Sequence, residues 1–575
     1  MMDLSKLSGS FTSQQTDDGN PYKISAPDAF IRIYSWKDQY TVASNKKKIS
    51  QDSVSYNIYE GILSIDTEKH KEGPGNWSVH LSGVKNYNAM VYPGDWITIH
   101  ISDQKINVKD EIEVKKTIKM MGIIKTVRRI ESATPDGVRS IKYVIAGTDW
   151  SSALHTPIYI NSMLFDFQQD GAKEGALATF VHGVGQEGES ARRGGPGTAV
   201  QKILYVIFAG GHSPDKSSLV TGQQFSVPAE LVKLVYGKSK IQNSYLSFLN
   251  FIINDFQEKM HGISDVRPDF GGVTEGWSLL KTYSNPILNE LFAETYVDKD
   301  GNIMPTLVLR SIPFSQEKLK GAPQLFIKDS LDEFYPTNSN NKLYVSKTID
   351  ESEIIQLNFG KSDAERFNFW MVTPNQMVPY QEQFNIAAAI ESAGGLAGLG
   401  HLISIKRYGL RPYVSSSVFW AEELNGFRTL SLHVRDLWDS AVFHENGMVE
   451  IVGSDKHIPV GTNIIFRQRS WAAHVESVSH KYFVDPIGRK GFKTSIGFVR
   501  LQDFNGEPLF VNGVADEIVN WDYEPRAFSS NGWKNNEDEN AGVTPNSEIG
   551  SKVEKKDKSK MKNNKAKKQT EKAKD

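Results

Sequence analysis

The sequence predicts a β-rich α+β protein in which two similar antiparallel β-barrels flank a helical and mixed α+β block. Three observations predict it. Residues 29–150 and 449–501 alternate apolar, often β-branched, positions with polar ones, as half-buried strands do. Turn, strand and hairpin recur in one order in both regions. Between them, Thr198 to Ala209 and Ser244 to Met260 carry apolar residues three and four apart, the spacing of helices packed by one face.

The elements follow in order. Phe30 to Tyr34, Val54 to Ile65, Trp77 to Leu81 and Trp96 to Ile101 read as strands, with Tyr92-Pro93-Gly94-Asp95 as a turn before the last. Pro135-Asp136-Gly137 joins Ile123 to Ile130 with Ser140 to Ala146 as a hairpin. Gly183 to Gly197 is too poor in apolar groups to order itself and reads as a surface loop. Strands resume at Thr306 to Pro313 and Lys342 to Phe359. An Ala/Gly-rich stretch, Asn385 to Gly400, follows, then a mixed segment including Ser415 to Trp438. Val449 to Val452, Asn463 to Arg467, His474 to Val484 and Phe492 to Leu501 are strands again. After about Asn531 polar residues take over, and Ser551 to Asp575 holds eleven lysines against four acids with no aromatic residue, the composition of a disordered basic tail.

The repeat is read by laying the two strand regions side by side. The turn at Pro93-Gly94 leads into Trp96 to Ile101 as the one at Pro459-Val460-Gly461 leads into Asn463 to Arg467. Gly122 to Val127 and Ala473 to Val478 each open a hairpin, turning through Pro135 with Gly137 and through Pro486 with Gly488. The return arms are followed by Asp149 and Asp503. The charged stretch Ser102 to Met120 is present only in the first copy.

Composition bounds the function. A chain of 575 residues should form roughly three or four domains. With 39% hydrophobic residues it can bury several cores. Lys plus Arg number 66 against 68 acids, so the whole chain has no attraction for nucleic acid or acidic membrane. The absence of cysteine excludes disulfides, thiolate metal sites and a cysteine nucleophile. Met1 to Gln15 has no apolar core of a secretory signal, and Phe384 to Ile405 is interrupted by Asn385, Glu391 and His401, so no membrane span is expected.

Candidate chemical motifs fail on spacing. Gly183, Gly185 and Gly188 fit a dinucleotide fingerprint, yet the next helix opens too late for its amides to meet a pyrophosphate. Asp298 to Asn302 resembles a calcium loop with its glycine misplaced and reads as a hairpin turn. His474 and His480, six apart in a strand, would share one face, with His480 a core or interface residue rather than a ligand. Gly210 to Pro214 is a turn, not a nucleophile elbow. No catalytic, cofactor-binding or metal-binding residue is therefore assigned, and no cofactor is expected. Two segments stay open: Asn385 to Gly400 either packs between subunits or lines a lumen, and the lysine-rich tail is either solvated or meets an acidic partner or nucleic acid.

PGDWITI (93–99), GIIKTV (122–127), YVIAGTDW (143–150), PTLVLRSIPF (305–314), SDAERFN (362–368) and RYGLR (407–411), followed by 453–461 and 473–500, resemble in order the segments of phage tail baseplate hub proteins. The hub part of type VI secretion spike proteins is related. The resemblance covers about Ala29 to Phe504. It implies two tube-like barrels per chain and a homotrimer of pseudo-sixfold symmetry that joins a hexameric tail tube to a separate trimeric spike. The implied partners are the tube ring, the spike, baseplate wedge proteins and the tape-measure end, with DNA only in transit. The implied location is the virion baseplate, assembled in the host cytoplasm, with a contractile tail favoured and a part in genome ejection. The expected division is 22–155 first barrel, 156–300 helical and mixed insert, 301–440 mixed region lending strands to the second barrel, 441–530 second barrel and 531–575 tail. A tail-associated enzyme that degrades cell wall is the alternative, and the hub of a cell-encoded injection particle a third reading.

Overall fold

Alternation of Ile, Val and Trp with polar residues makes strands of the N-terminal region. The computed structural model describes residues 26–36, 53–133, 137, 139–155, 157–160, 196–197, 200–201, 203–204, 227–236, 245–254, 260–261, 272–297, 303–314, 345–374, 400, 402–417, 420–421, 426–438, 441–455, 457–503 and 509. The first strands are β1 (Asp28–Trp36), β2 (Ser53–Ile58), β3 (Ile62–His70), β4 (Asn76–Ser82), β5 (Trp96–Ser102), β6 (Ile118–Ala133) and β7 (Arg139–Asp149). Their inward residues, among them Ile33, Ile65, Val79, Ile97, Ile99 and Ile145, form one core. A short helix, Glu111–Lys116, follows β5; the Asp110 carboxylate accepts from the Ile112 and Glu113 amides and caps it.

The middle region supplies β8 (Pro157–Ile160), β9 (Asn250–Asn254), β10 (Met260–His261), β11 (Gly272–Glu275), β12 (Asn289–Val297) and β13 (Ile303–Ser311). It adds helices Ala229–Tyr236 and Gly276–Tyr283, whose Leu231, Val235 and Leu280 join Leu307 and Leu309 of β13 in a second core. Then come β14 (Val345–Ile349), β15 (Ile354–Gly360), β16 (Phe369–Pro374), β17 (Pro412–Ser417) and β18 (Trp420–Ala421). Last are β19 (Glu445–Val452), β20 (Asn463–Phe466), β21 (Trp471–Val484) and β22 (Lys490–Asp503), which enclose Val449, Ile464, Val475 and Ile496.

The strands of both ends lie in one sheet of order β15-β19-β22-β21-β3-β4-β7-β6-β5-β1-β2, with β20 on β21 and β14 on β20. The chain is thus β-rich α+β with a large, mostly antiparallel sheet. Within it, β3-β4-β7-β6-β5 recurs as β15-β19-β22-β21-β20, every neighbouring pair antiparallel. One constant shift in residue number carries the first hairpin onto the second. Trp96 pairs with Ile123 as Asn463 pairs with His474, and Ala133 with Arg139 as Val484 with Lys490. A bulge between Ile124 and Thr126 returns between Val475 and Ser477. Gly94 N donates to Ile124 O at 2.8 Å, and Gly461 N to Val475 O at 2.8 Å. Both glycines hold positive φ, 97° and 74°, which a side chain would strain. On the outer flank, one shift carries β3 onto β15 and a different one carries β4 onto β19, and the bulge between Ile62 and Ser64 returns between Ile354 and Gln356.

The copies differ at the strand beside the hairpin: β1 runs antiparallel to β5, whereas β14 runs parallel to β20. The structure also corrects three expectations. Of the helix expected over Ser244 to Met260, the described residues are helical at Tyr245–Phe248 and then form β9, because Phe251-Ile252-Ile253 favours a strand and β13 offers a parallel edge. The bulge after Val475 reverses the alternation, so His474 turns to Phe314 while His480 joins Val478 on the opposite face. The hairpin shift sets Asp149 against Arg500 rather than Asp503. Residues 200, 201, 203 and 204 are helical as expected for Thr198 to Ala209. The expectations for 183–195, 210–214, 298–302, 385–399 and 531–575 lie outside the described residues, while 196–197, the end of the expected surface loop, is helical and buried.

Candidate assembly interface

Strand β3 meets β21 where the two copies join inside the chain. Ser477 pairs with His70, Val478 with Lys69, His480 with Thr67 and Tyr482 with Ile65. The tip of the second hairpin enters the first core, where Tyr482 and Phe492 pack with Ile65 and Val79. The end of β5 and the start of β6 hold the second copy: Ser102 Oγ donates to Asp455 Oδ1 at 2.8 Å, and Lys119 Nζ donates to the Ser454 and Asp455 carbonyls, each at 2.7 Å.

A buried charge cluster underlies this junction. Past the end of β3, Lys71 forms an ion pair with Glu476 of β21 and stands 3.0 Å from Glu290 Oε2 of β12. Arg310 of β13 also pairs with Glu290 and donates through Nη2 to Gly461 O at 2.6 Å, so the three-stranded sheet is tied to the repeated turn. Burial alone would raise the Glu290 pKa, but Arg310 and Lys71 outweigh it and hold the carboxyl down at about 2. Burial pushes Lys71 down, and Glu290 with Glu476 more than reverses that, so its pKa is raised. Glu476 is raised chiefly by burial, which its share of Lys71 does not offset. Burial, then the Lys71 charge, holds His474 well below the usual imidazole range, so the ring is neutral.

Beside it lies a cavity of about 20 Å³ lined by Thr67, Lys69, Asp149, Glu294, His457 and His480 among others, room for one water. Lys69 pairs with Asp149, and Glu294 accepts from the Val460 amide at 2.8 Å. Burial raises the Glu294 carboxyl, but His457 and Lys69 outweigh it and lower its pKa. Burial also drives His480 well below the usual imidazole range; its Nδ1 lies 3.0 Å from Thr494 Oγ1. Lys69 with Asp149, and Lys71 with Glu290 and Glu476, are spent on one another. Among the described residues, no group of three or more His, Asp or Glu is placed to hold a metal ion, and no helix is long and apolar enough to cross a membrane.

Two of the segments singled out in sequence, 362–368 and 407–411, touch each other beside β15. Asp363 accepts from Arg366 Nε at 2.8 Å and pairs with Arg411. Buried Asn368 donates to Gly409 O at 2.7 Å and accepts from the Arg411 amide at 2.7 Å, while the Arg366 guanidinium sits 3.9 Å from the Tyr408 ring centre. A third, 305–314, places Phe314 under Arg500, 4.8 Å from the ring centre. Sequence reasoning missed Lys71, Glu290, Arg310 and Glu476. The available signal was a charged residue at each copy boundary, hidden because β12 is buried on both faces and shows no alternation.

No family model and no curated protein matches the chain. Solved structures with a similar fold include the 43 kDa tail protein of prophage MuSo2 from Shewanella oneidensis, 11% identical over 83% of this chain and 98% of that one, with a TM-score of 0.37. A prophage tail protein from Listeria monocytogenes is 7% identical over 82% of this chain and 94% of that one, TM-score 0.31. A type VI secretion component of E. coli is 6% identical over 76% and 73%, TM-score 0.30. Each likeness is loose.

Proposed function

We propose that this chain is a structural, non-enzymatic hub of a phage tail baseplate: a homotrimer whose two tube-like barrels per chain present pseudo-sixfold symmetry. It joins the hexameric tail tube to the central trimeric spike and takes part in tail assembly and genome ejection. In this reading 22–155 forms one barrel, and 441–530 together with β14 and β15 forms the other. The observation that carries it is the register-preserving repeat, bulges and turns included. A fold that repeats itself within one chain lets three chains meet a sixfold partner with six similar faces. The ordered resemblance of the quoted segments to baseplate hubs supports the same reading, as does a junction whose charged groups pair with one another. Tube ring, wedge proteins and tape-measure end are the remaining partners, and DNA crosses the bore in transit.

The test is the particle mass by light scattering with end-on electron micrographs. Three chains in a ring with six similar lobes is expected; a monomer at high protein concentration would overturn the reading. Clearing of cell-wall material in a zymogram of the purified protein would favour an enzyme instead.

A further inference from the structure

The two ends of the sheet path carry strand edges that correspond to the pair already joined inside the chain. On β6, residues 126–133 extend beyond the part that β5 covers, and no described strand lies against that edge. At the other end, β15 pairs on one side with β19, and no described strand lies against its other side. Six strands separate these two edges along the sheet, and they are not paired with each other within the chain. The hairpin shift makes residues 126–132 of β6 the counterparts of 477–483 of β21, and the flank shift makes β15 the counterpart of β3. Long exposed edges invite pairing, and these two expose Ile130 (48%) and Ile355 (47%).

We infer, building on the trimeric reading above, that β6 of one copy pairs antiparallel with β15 of a second copy in the register of β21 on β3. Lys481 facing Asp66 then becomes Ile130 facing Asn358, and Val478 facing Lys69 becomes Val127 facing Lys361. At the end of the ladder Lys71 N donates to Glu476 O at 3.0 Å, and these side chains form the buried ion pair. Their counterparts are Asp363 and Lys125, an opposite-charge pair with the signs exchanged between the strands. Lys125 is exposed on β6. Each chain contributes β15, β19, β22, β21, β3, β4, β7 and β6 to the closed path. Three copies set roughly 24 strands edge to edge, enough for an open bore where about 16–18 already leave a channel.

The chain has no cysteine, so an Ile130→Cys, Asn358→Cys double variant carries two thiols. Ile130 and Asn358 fall at an odd step from the hydrogen-bonded pair, which makes them a close, non-hydrogen-bonded pair suited to a disulfide. On mild oxidation of the full chain, non-reducing gels should show covalent trimer as the main product. Ile130→Cys with Ser362→Cys, out of register by two steps on the same face, should stay monomeric on the same gel. A wild-type trimer whose in-register variant crosslinks no better than the out-of-register one overturns this pairing and leaves the hub reading standing. A wild type that weighs one chain at every concentration overturns both. Lys125→Glu, a surface change that leaves the core alone, should weaken the trimer about tenfold or more; unchanged assembly would count against the register.

Discussion

Replacing Lys71 with Met removes one charge from the junction while keeping most of its stem. Lys71, Glu290 and Glu476 side chains are 11%, 10% and 27% exposed, so the carboxylates are largely cut off from water. Glu290 keeps Arg310, but Glu476 loses the cation that the structure gives it. Breaking a buried pair on one side costs about 3–5 kcal/mol; with Arg310 retained, the lower end, about 3 kcal/mol, is expected at pH 7.5. The assay is the urea midpoint of the transition seen by tryptophan fluorescence, compared between proteins rather than converted to a global stability, since a chain of this size need not unfold in one step. The pH dependence separates charge from packing. Glu476 already has a raised pKa, and without Lys71 it takes up a proton more readily, so the deficit should shrink from pH 7.5 to pH 5. In the wild type, Lys71 has a raised pKa, so its contribution is complete below the usual 10.5 and fades only as pH rises through the higher folded value. Adding Glu476→Gln should recover part of the loss. A deficit identical at both pH values and untouched by Glu476→Gln would refute the electrostatic account.

Other consequences follow from individual groups. Glu290, lowered to about 2 from 4.5, contributes about 3 kcal/mol that is present above pH 4.5 and lost as pH falls toward 2; Glu290→Gln should remove that acid limb from a stability–pH curve. His100 is held neutral with its pKa near 3 by burial, so the unfolded chain takes a proton first and stability declines as pH drops below about 6.5; His100→Gln should flatten that decline in acid melts. Gly147 has no room for a Cβ, which would meet the Ile123 carbonyl and the Trp77 ring, so Gly147→Ala should cost about 1–3 kcal/mol in urea melts. Asn368→Ala strips two hydrogen bonds between 362–368 and 407–411 and should speed proteolysis there, with little change if the segment is held by other contacts.

The repeat was legible because its signals are local. Pro135 with Gly137 and Pro486 with Gly488 mark matching turns, and the alternating arms beside them set the strand faces. The turn before each hairpin was readable at Gly94 and Gly461, where backbone conformation demands glycine, while the prolines beside them fall one position apart and carry no equivalence. What pairs with what across the chain was not legible. The copies trade bulk across neighbouring strands: Trp77 lies opposite Gly147, but Gly447 lies opposite Phe498, so the pair conserves volume while each position changes. Residue-by-residue comparison cannot see such an exchange. Nor does periodicity register a bulge, and for that reason His474 and His480 read as neighbours on one face when they oppose each other. The charge cluster needed β12 and β13 to be brought under the junction, a contact between segments more than two hundred residues apart in the case of Lys71 and Glu290.

The exchanged charges bear on how a ring built from two similar edges avoids closing wrongly. Inside the chain, the β3 side carries Lys71 and the β21 side Glu476; between chains the inferred pair is Asp363 on the β15 side and Lys125 on β6. If the internal β3–β21 junction opened and β6 of one copy met β3 of another, Lys71 would face Lys125, and if β15 met β21, Asp363 would face Glu476. Both wrong junctions set like charges together in a partly dehydrated strand pair, which costs several kcal/mol. Backbone pairing cannot discriminate, because the ladders share one register, so side-chain charge is left to enforce the alternation of first and second copies around the ring. Lys125→Glu therefore should do more than weaken the trimer. It gives β6 the charge that β21 carries, removes the repulsion from Lys71, and should yield mixed oligomers in light scattering where the wild type gives one species. A Lys125→Glu protein that dissociates cleanly to monomers, with no new oligomer at any concentration, would mean that something other than this charge pair sets the order.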